Sequence, residues 1–313
     1  MNYKEEIQSL RGFAVLLVVL FHFFPDLMPR GYLGVDIFFV ISGYVITSRL
    51  YEELENKNRI DFISFYFRRI KRIIPVLLFI LSTVLIFIIF FQPLDLLAGN
   101  ITVYLFTIFG LSNLYYLFSK KDYFDNVFED VFGHTWSLGV EEQFYIFFPL
   151  FLFILYKLIT RKTNQVLTIF ILIIFGAFLT FKYSENFQLI FYSPIFRFWE
   201  FLFGSLAFFL NNYFGKKNLN SISIVSFVIL IFLILIKFYS NNFIAILFSS
   251  IFASLFLIFY QDGGIFKFLF NNKFFVYIGN ISYSFYLWHL PVIYFYNLYF
   301  VDNFIKIPFI FLI

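Results

Sequence analysis

The feature that most constrains this chain is a succession of apolar runs, each close to the length that crosses a lipid bilayer as a helix. Ten such runs occupy residues 11–27, 32–50, 74–91, 101–118, 138–157, 166–182, 193–211, 222–237, 243–260 and 276–300. Only 13% of the residues are charged, against roughly 25% in a soluble domain, so the chain cannot cover a water-facing surface of its own. We therefore predict an all-α polytopic membrane protein.

A further apolar run begins near residue 304 and stops at Ile313. A helix that ended in mid-bilayer would leave its last carbonyls without hydrogen-bond partners. We therefore expect residues 1–313 to form a single membrane-embedded domain that is incomplete at its C-terminus.

The distribution of Lys and Arg predicts the orientation of these runs. Seven cations lie in the connection at 49–73 and three more at 157–163, which places both connections in the cytoplasm. Three runs separate them, so one run must fail to cross. We assign this role to 101–118, which contains Gly110 and polar neighbours, as a re-entrant or interfacial segment. The prediction becomes about ten transmembrane helices, the last one truncated, with the N-terminus inside.

Several classes of site are excluded or unsupported by the residues present. The chain has no Cys, so disulfides, thiolate catalysis and Cys-ligated metals are ruled out. No His, Asp and Glu spacing is typical of a metal site, and no Gly-rich phosphate loop occurs. We predict membrane lipid as the surroundings, no metal, no permanently bound cofactor and no nucleic-acid partner.

Placing an ionisable residue within a transmembrane span is energetically unfavourable, so each such residue is a functional candidate. The first span contains Arg11 and His22, whose separation of eleven positions places them on one helix face, roughly 16 Å apart. Arg11 falls near the cytoplasmic end, where it can also serve as an anchor that reaches the headgroups. His22 falls near the outer end, where a hydrogen-bonded packing role is the alternative to catalysis.

The second span begins outside and carries Asp36 in its first turn. Antiparallel pairing with the first span would bring Asp36 to the depth of His22. A carboxylate that accepts from one imidazole nitrogen leaves the other as a base. We predict that Asp36 orients His22, with a buried ion pair without chemistry as the alternative. The small pair Ser42–Gly43 permits close contact between helices.

Further polar residues of the predicted spans and outer loops are also candidates for the site. They are His134, Trp136, Ser137, Glu141, Glu142, Arg197, Glu200 and His289. The spacing of Arg197 and Glu200 favours a local ion pair for at least one of them. All three histidines of the chain fall in the outer half of the predicted bundle, which suggests a common site.

A basic stretch that includes Arg68, Arg69 and Arg72 directly precedes the span at 74–91. One interpretation is the positive-inside signal combined with attraction to anionic lipid. The other is a phosphate-binding cluster, because guanidinium groups pair bidentately with phosphates. The residues alone leave both interpretations open.

Taken in order, these motifs resemble the membrane acyltransferases known as acyltransferase family 3, in the branch of the O-antigen and peptidoglycan O-acetylases. The motifs that carry the resemblance are Arg11 with His22, Gly34-Val35-Asp36 through Ser42-Gly43, Arg69 with Arg72, His134-Thr135-Trp136-Ser137 through Glu141-Glu142-Gln143, Arg197-Phe198-Trp199-Glu200, and Ser282-Tyr283 with Tyr286 and His289. They cover nearly the whole chain.

The resemblance implies transfer of an acyl group, most often acetyl, from cytoplasmic acyl-coenzyme A to a hydroxyl of an extracytoplasmic glycan such as O-antigen, exopolysaccharide or peptidoglycan. It implies a bacterial inner membrane, with Arg11, Arg68, Arg69 and Arg72 as donor-binding residues. His22, with Asp36, would be catalytic, as a general base or as a transient acyl carrier. The acceptor side would involve His134, Trp136, Ser137, Glu141, Glu142, Arg197, Glu200, Ser282, Tyr286 and His289.

Some members of this branch also carry an esterase-like extracytoplasmic domain, which makes a C-terminal or separate domain of that kind an expected partner. The main alternative function is a transporter or flippase of a small molecule or lipid-linked glycan, whose buried charges would line a pathway. The two matching halves expected of many transporters are not evident in this sequence. A non-catalytic membrane sensor or scaffold is the second alternative.

Overall fold

The computed structural model is helical, with no strand in the residues that it describes, which are 5–92, 94–119, 130–214, 220–236, 242–260 and 272–300. These residues form α1 (Glu5–Phe23), α2 (Gly34–Lys57), α3 (Phe62–Phe91), α4 (Leu94–Ile108), α5 (Ser112–Ser119), α6 (Trp136–Leu158), α7 (Lys162–Lys182), α8 (Phe187–Tyr192), α9 (Phe198–Phe214), α10 (Asn220–Leu235), α11 (Asn242–Phe259) and α12 (Lys273–Phe300). The predicted all-α class is confirmed. The apolar run that begins near 304 lies outside the described residues.

Six helices within these ranges are long and apolar enough to cross a membrane: α1, α2, α3, α6, α7 and α11. The chain is therefore a multi-pass membrane protein, although the predicted count of about ten spans is not confirmed. The apolar window of α2 is 78% buried, whereas those of α3 and α7 are 28% and 22% buried. Thus α2 lies at the centre of the bundle, and α3 and α7 present Phe and Ile side chains at its periphery.

The two basic connections lie at the same end of the bundle, as the distribution of cations predicts. Asn58, which ends α2 in a left-handed conformation (φ 55°), accepts a hydrogen bond of 3.0 Å from Lys157 Nζ at the end of α6. Lys162, the first residue of α7, forms an ion pair with Glu55 of α2. We call this the arginine end of the bundle.

The stretch around 101–118 consists of two short helices rather than one span. Gly110 separates α4 from α5 and has a φ of +66°, which a residue with a side chain rarely adopts. The helix α3 begins at the arginine end and leads to the opposite end, and α6 starts from that opposite end and returns. The chain therefore enters α4 and leaves α5 on the same side, opposite the arginine end. Gln143 of α6 secures this turn by donating to Asn113 Oδ1 of α5 at 2.8 Å. A re-entrant path remains a prediction.

Glycines bring two helix pairs into close contact. Gly12 of α1 faces the backbone of α12 at Phe275 and Gly279, and Gly204 of α9 faces the backbone of α2 at Val40 and Tyr44. Gly43 likewise contacts the backbone of Phe201, which confirms the close helix contact predicted at Ser42–Gly43. Small residues at such crossings let backbones approach in a lipid environment. The two contacts hold α1, α2, α9 and α12 around the candidate site.

Candidate active site

Three cavities follow one another along α2. The basic cavity is lined by Arg49, Leu50, Glu53, Phe65 and Arg68, together with Arg69 and Arg72. The central cavity is lined by Arg69 and Arg72 again, and also by Arg11, Ser42, Glu141 and Tyr145. The inner cavity shares Arg11 and Glu141 with the central cavity and adds Val35, Ser137, Ser282 and Tyr286.

The shared residues show that these cavities lie next to one another in a row, which we call the polar track. On α2 the track passes Arg49, Ser42 and Val35 in turn. These residues are seven positions apart, so the track advances by ~10 Å from each cavity to the next. The basic cavity lies nearest the arginine end, and the inner cavity lies farthest from it.

In the central cavity, carboxylates from α6 face arginines from α1 and α3. Glu141 Oε1 accepts short hydrogen bonds from Ser42 Oγ and Tyr145 OH, and the guanidinium of Arg69 lies 4.6 Å from the centre of the Tyr145 ring. The volume of this cavity is about 60 Å³, which is room for several waters. The central cavity is therefore a charged space inside the bundle that is large enough to hold water.

Glu142 also lines the central cavity, beside the turn at Gly110. A side chain at Gly110 would collide with the Glu142 carboxylate. The break between α4 and α5 thus makes room for the second acid of the predicted Glu141–Glu142 pair.

The inner cavity is lined by hydroxyl groups from α6 and α12. Tyr286 OH donates to the His134 carbonyl at 2.8 Å and lies 2.7 Å from Ser137 Oγ. Ser137 Oγ also donates to this carbonyl at 3.3 Å, so the His134 carbonyl accepts from both hydroxyl groups. Ser282 Oγ is buried without a hydrogen-bond partner. Ser282, Tyr286 and His289 follow one face of α12, and the ring centre of Tyr286 lies 5.2 Å from that of His289.

The three histidines of the chain form one buried cluster. The ring centre of His289 lies 5.0 Å from that of His22 and 5.0 Å from that of His134. Their exposed fractions are 5% for His22, 1% for His134 and 0% for His289. His134 lies beside the Leu287 carbonyl, but neither of its ring nitrogens has a partner in hydrogen-bond geometry, nor does Nε2 of His289. Sequence spacing placed these residues in the same half of the bundle, and the structure brings them into contact.

The hydrogen bonds of His22 and His289 define which ring nitrogen carries the proton. His22 Nδ1 lies 2.8 Å from the Val18 carbonyl oxygen, one turn earlier in α1, and His289 Nδ1 bonds the Tyr286 carbonyl in the same way. A carbonyl only accepts, so Nδ1 is the donor in each neutral ring and Nε2 carries the lone pair. This tautomer makes Nε2 of His22 the basic atom.

Asp36 lies elsewhere than predicted. Its carboxylate pairs with Arg197 at 2.9 Å, and the orienting partner of His22 Nδ1 is the Val18 carbonyl. Gly34 packs against Ala14 and Val18 of α1. Two residues further on, the helix has turned by ~200°, so Asp36 faces away from α1 and towards α9. The expected orientation of His22 by Asp36 is corrected accordingly.

Arg197 is the centre of a buried charge cluster. It pairs with Glu200 at 2.8 Å, which confirms the predicted local ion pair, and its Nε donates to the Phe191 carbonyl at 3.1 Å. Its guanidinium lies 5.4 Å from the ring centre of Trp136, the first residue of α6. The cluster therefore joins the starts of α2, α6 and α9, next to the segment that carries His134 and Ser137.

The structure thus separates the predicted site residues into three groups. The arginines predicted to bind the donor and Glu141 line the polar track, the histidines lie next to Tyr286 at its far end, and Asp36, Arg197 and Glu200 form a separate ion cluster. Arg49 and Tyr145 also line these cavities but were not predicted as site residues, although Tyr145 follows Glu141 by one helical turn. Among the residues described, no group of three or more His, Asp or Glu side chains is arranged to hold a metal ion.

An all-helical membrane bundle with this motif set belongs to a defined class of proteins. The family model described as "Acyltransferase domain" matches residues 4–313, and the chain is a member of that acyltransferase family. It is 33% identical, over 96% of its length, to the O-acetyltransferase OatA of Staphylococcus aureus strain NCTC 8325. It is 34% identical, over 97% of its length, to SAS0844 of Staphylococcus aureus strain MSSA476, provisionally named an O-acetyltransferase.

These alignments cover 52% of OatA and 53% of SAS0844, so the chain spans about half the length of the curated relatives it matches. No solved structure matches the chain.

Proposed function

We propose that this protein is a membrane O-acetyltransferase that uses cytoplasmic acetyl-coenzyme A to acylate a hydroxyl of an extracytoplasmic glycan. The observation that carries the proposal is the polar track, which begins among the arginines at one end of the bundle and ends at Tyr286, whose ring lies against His134 and His289. Family membership supports the acyl transfer. The names of the relatives support an acetyl group and an oxygen acceptor.

Opposite ends of the track suit opposite ends of the donor. Coenzyme A carries its phosphates at one end and its thioester at the other, and guanidinium groups are the preferred partners of phosphates. With the phosphates held by Arg69 and Arg72, the thioester points through the central cavity towards Ser282 and the histidines. The positive-inside rule supports a cytoplasmic location for the arginine end in a bacterium, with the acceptor approaching from outside.

In the proposed reaction, Nε2 of His22 removes the proton from the acceptor hydroxyl as the oxygen attacks the thioester carbon. The carbonyl becomes a tetrahedral oxyanion, which the buried hydroxyl of Ser282 is placed to stabilise. Collapse of this intermediate breaks the carbon–sulfur bond, and the coenzyme A thiolate receives the proton from His22. The Val18 carbonyl holds His22 in the required tautomer throughout and stabilises the transient imidazolium.

The proposal is tested by glycan-dependent release of coenzyme A from acetyl-coenzyme A by the purified protein. A thiol reagent reports only the product, because the chain contains no Cys. We expect His22→Ala to lower the transfer rate by about 10²–10⁴-fold, the usual contribution of a general base, while the variant still inserts and binds coenzyme A.

A His22→Ala variant with wild-type activity would overturn the catalytic assignment. A wild-type protein that releases no coenzyme A, yet moves a glycan or small molecule across vesicle membranes, would support the transporter alternative instead.

A further inference from the structure

The basic cavity brings together four arginines from two helices, Arg49 of α2 and Arg68, Arg69 and Arg72 of α3. None of the four forms an ion pair in the part of the chain that the structure describes. Glu53 is the one carboxylate among the residues lining this cavity. It lies 3.7 Å from Lys57 and accepts from the backbone N–H of Asp61 at 3.4 Å. The cavity therefore has a large excess of positive charge.

Orientation in the membrane does not account for this convergence. Exposed cations anywhere at the arginine end satisfy the positive-inside rule, as Arg59 and Arg161 do outside the three cavities. Four guanidinium groups around one cavity repel one another, and an anion bound between them removes that repulsion. The arrangement is suited to a ligand that carries more than one phosphate group.

The order of the cavities assigns the phosphates of coenzyme A to particular arginines, if coenzyme A is the donor as proposed above. Along that molecule the 3′-phosphate comes first, then the diphosphate, the pantetheine arm and the thioester. Along the polar track Arg49 and Arg68 line the basic cavity alone, and Arg69 and Arg72 line both the basic and central cavities. The inner cavity comes last, and its Tyr286 lies against His134 and His289. We infer that Arg49, together with Arg68, binds the 3′-phosphate, while Arg69 and Arg72 bind the diphosphate.

The test compares coenzyme A with 3′-dephospho-coenzyme A, which lacks only the phosphate in question. Dissociation constants are measured by calorimetry on the full chain in uncharged detergent. We expect Arg49→Gln to weaken coenzyme A binding by about tenfold or more, the usual loss for one charge-assisted contact, and to leave the dephospho compound unaffected. Arg72→Gln should weaken both ligands, because both contain the diphosphate.

Arg59→Gln is the matched control, since Arg59 is an exposed arginine at the same end that lines none of the three cavities. It should change neither affinity. Arg49 is also exposed, so its substitution should leave the fold intact, and thermal unfolding of each variant checks this.

A loss in Arg49→Gln that is equal for both ligands, or absent for both, would overturn the inference and leave the proposed function standing. Folded wild-type protein that binds neither ligand would overturn the proposed donor and this assignment together. A lipid phosphate is the other source of the same chemistry, so the titrations are repeated in nanodiscs with and without phosphatidylglycerol. Two results together would assign the cavity to lipid. Phosphatidylglycerol would weaken coenzyme A binding only when Arg49 is present, and Arg49→Gln would still bind coenzyme A more tightly than the dephospho compound.

Discussion

A single guanidinium, that of Arg197, connects the starts of three helices. It pairs with Asp36 of α2 and Glu200 of α9 and lies against Trp136 at the start of α6. Asp36 and Arg197 are each 1% exposed and Glu200 is 0% exposed. The cluster contains two carboxylates and one cation. Loss of the cation would leave buried negative charge uncompensated, whereas neutralising one carboxylate would balance the charges.

This imbalance predicts opposite outcomes for two substitutions in the cluster. Arg197→Met leaves two buried carboxylates without a cation and should destabilise the protein by about 3–5 kcal/mol. Glu200→Gln keeps the oxygen that accepts from Arg197, leaves a neutral Asp36–Arg197 pair, and should change stability far less. Thermal unfolding in detergent checks both variants. Equal tolerance of the two changes would show that Arg197 does not compensate buried charge.

At the residue scale, the sequence identified which residues belong to the candidate site better than it identified which residue each side chain contacts. A three-residue separation was enough to predict the Arg197–Glu200 pair, because neighbours at that spacing lie on one helix face. The Asp36–His22 pair was inferred from depth alone. Depth does not specify the direction in which a side chain points around its helix, and Asp36 points to α9. No sequence signal identified the Val18 carbonyl as the partner of His22, because every helical residue carries such a group.

At the scale of elements, the contact between α2 and α9 determines where Asp36 meets Arg197. A Cβ at Gly204 would collide with the backbone of α2 at Val40 and Tyr44, whereas a Cβ at Gly99 in α4 would meet no atom within 4 Å. We expect Gly204→Ala to push the two helices apart, at a cost of about 1–3 kcal/mol for overpacking, and to lower acyl transfer.

Gly99→Ala is the control for this prediction. It should be neutral or slightly stabilising, because Ala is favoured over Gly within a helix by about 0.5–1 kcal/mol. Unfolding temperatures of the two variants provide the comparison. A Gly204→Ala variant as stable as the Gly99→Ala variant would mean that the α2–α9 contact can relax without loss.

Apolar runs predicted most helices to within a few residues, but not those whose ends are polar. The helix α3 begins at Phe62, twelve residues before the predicted span at 74–91, because a basic stretch can be helical without being apolar. Asp61 starts it by accepting from the backbone N–H of Ser64 at 3.0 Å. The arginines therefore lie on a rigid helix rather than in a loop, which fixes their positions around the basic cavity.

At the scale of the whole molecule, the sequence indicated the two ends of the site but not the path between them. Cations clustered in one set of connections and histidines in the opposite half, which positive-inside reasoning and span counting could detect. The path depends on which helices are neighbours. His22 of α1 and His289 of α12 are 267 positions apart in the chain, so sequence proximity carried no information about their contact.

The orientation of the molecule decides whether the arginines can meet a cytosolic donor, and the sequence makes this directly measurable. The chain has no Cys, so a single introduced Cys reports its own side of the membrane. The helix α7 has 21 residues and extends ~31 Å, enough to separate the exposed residues Arg161 and Glu185 across a bilayer.

In intact spheroplasts we expect an impermeant maleimide to label Glu185→Cys but not Arg161→Cys. Permeabilisation should make both positions reactive. The reverse pattern would place the arginine end outside, where no coenzyme A is available, and the proposed donor would then have to be abandoned even if the histidine cluster remained essential. Labelling of both positions in intact spheroplasts would mean instead that α7 lies along the membrane surface, which contradicts its assignment as a span.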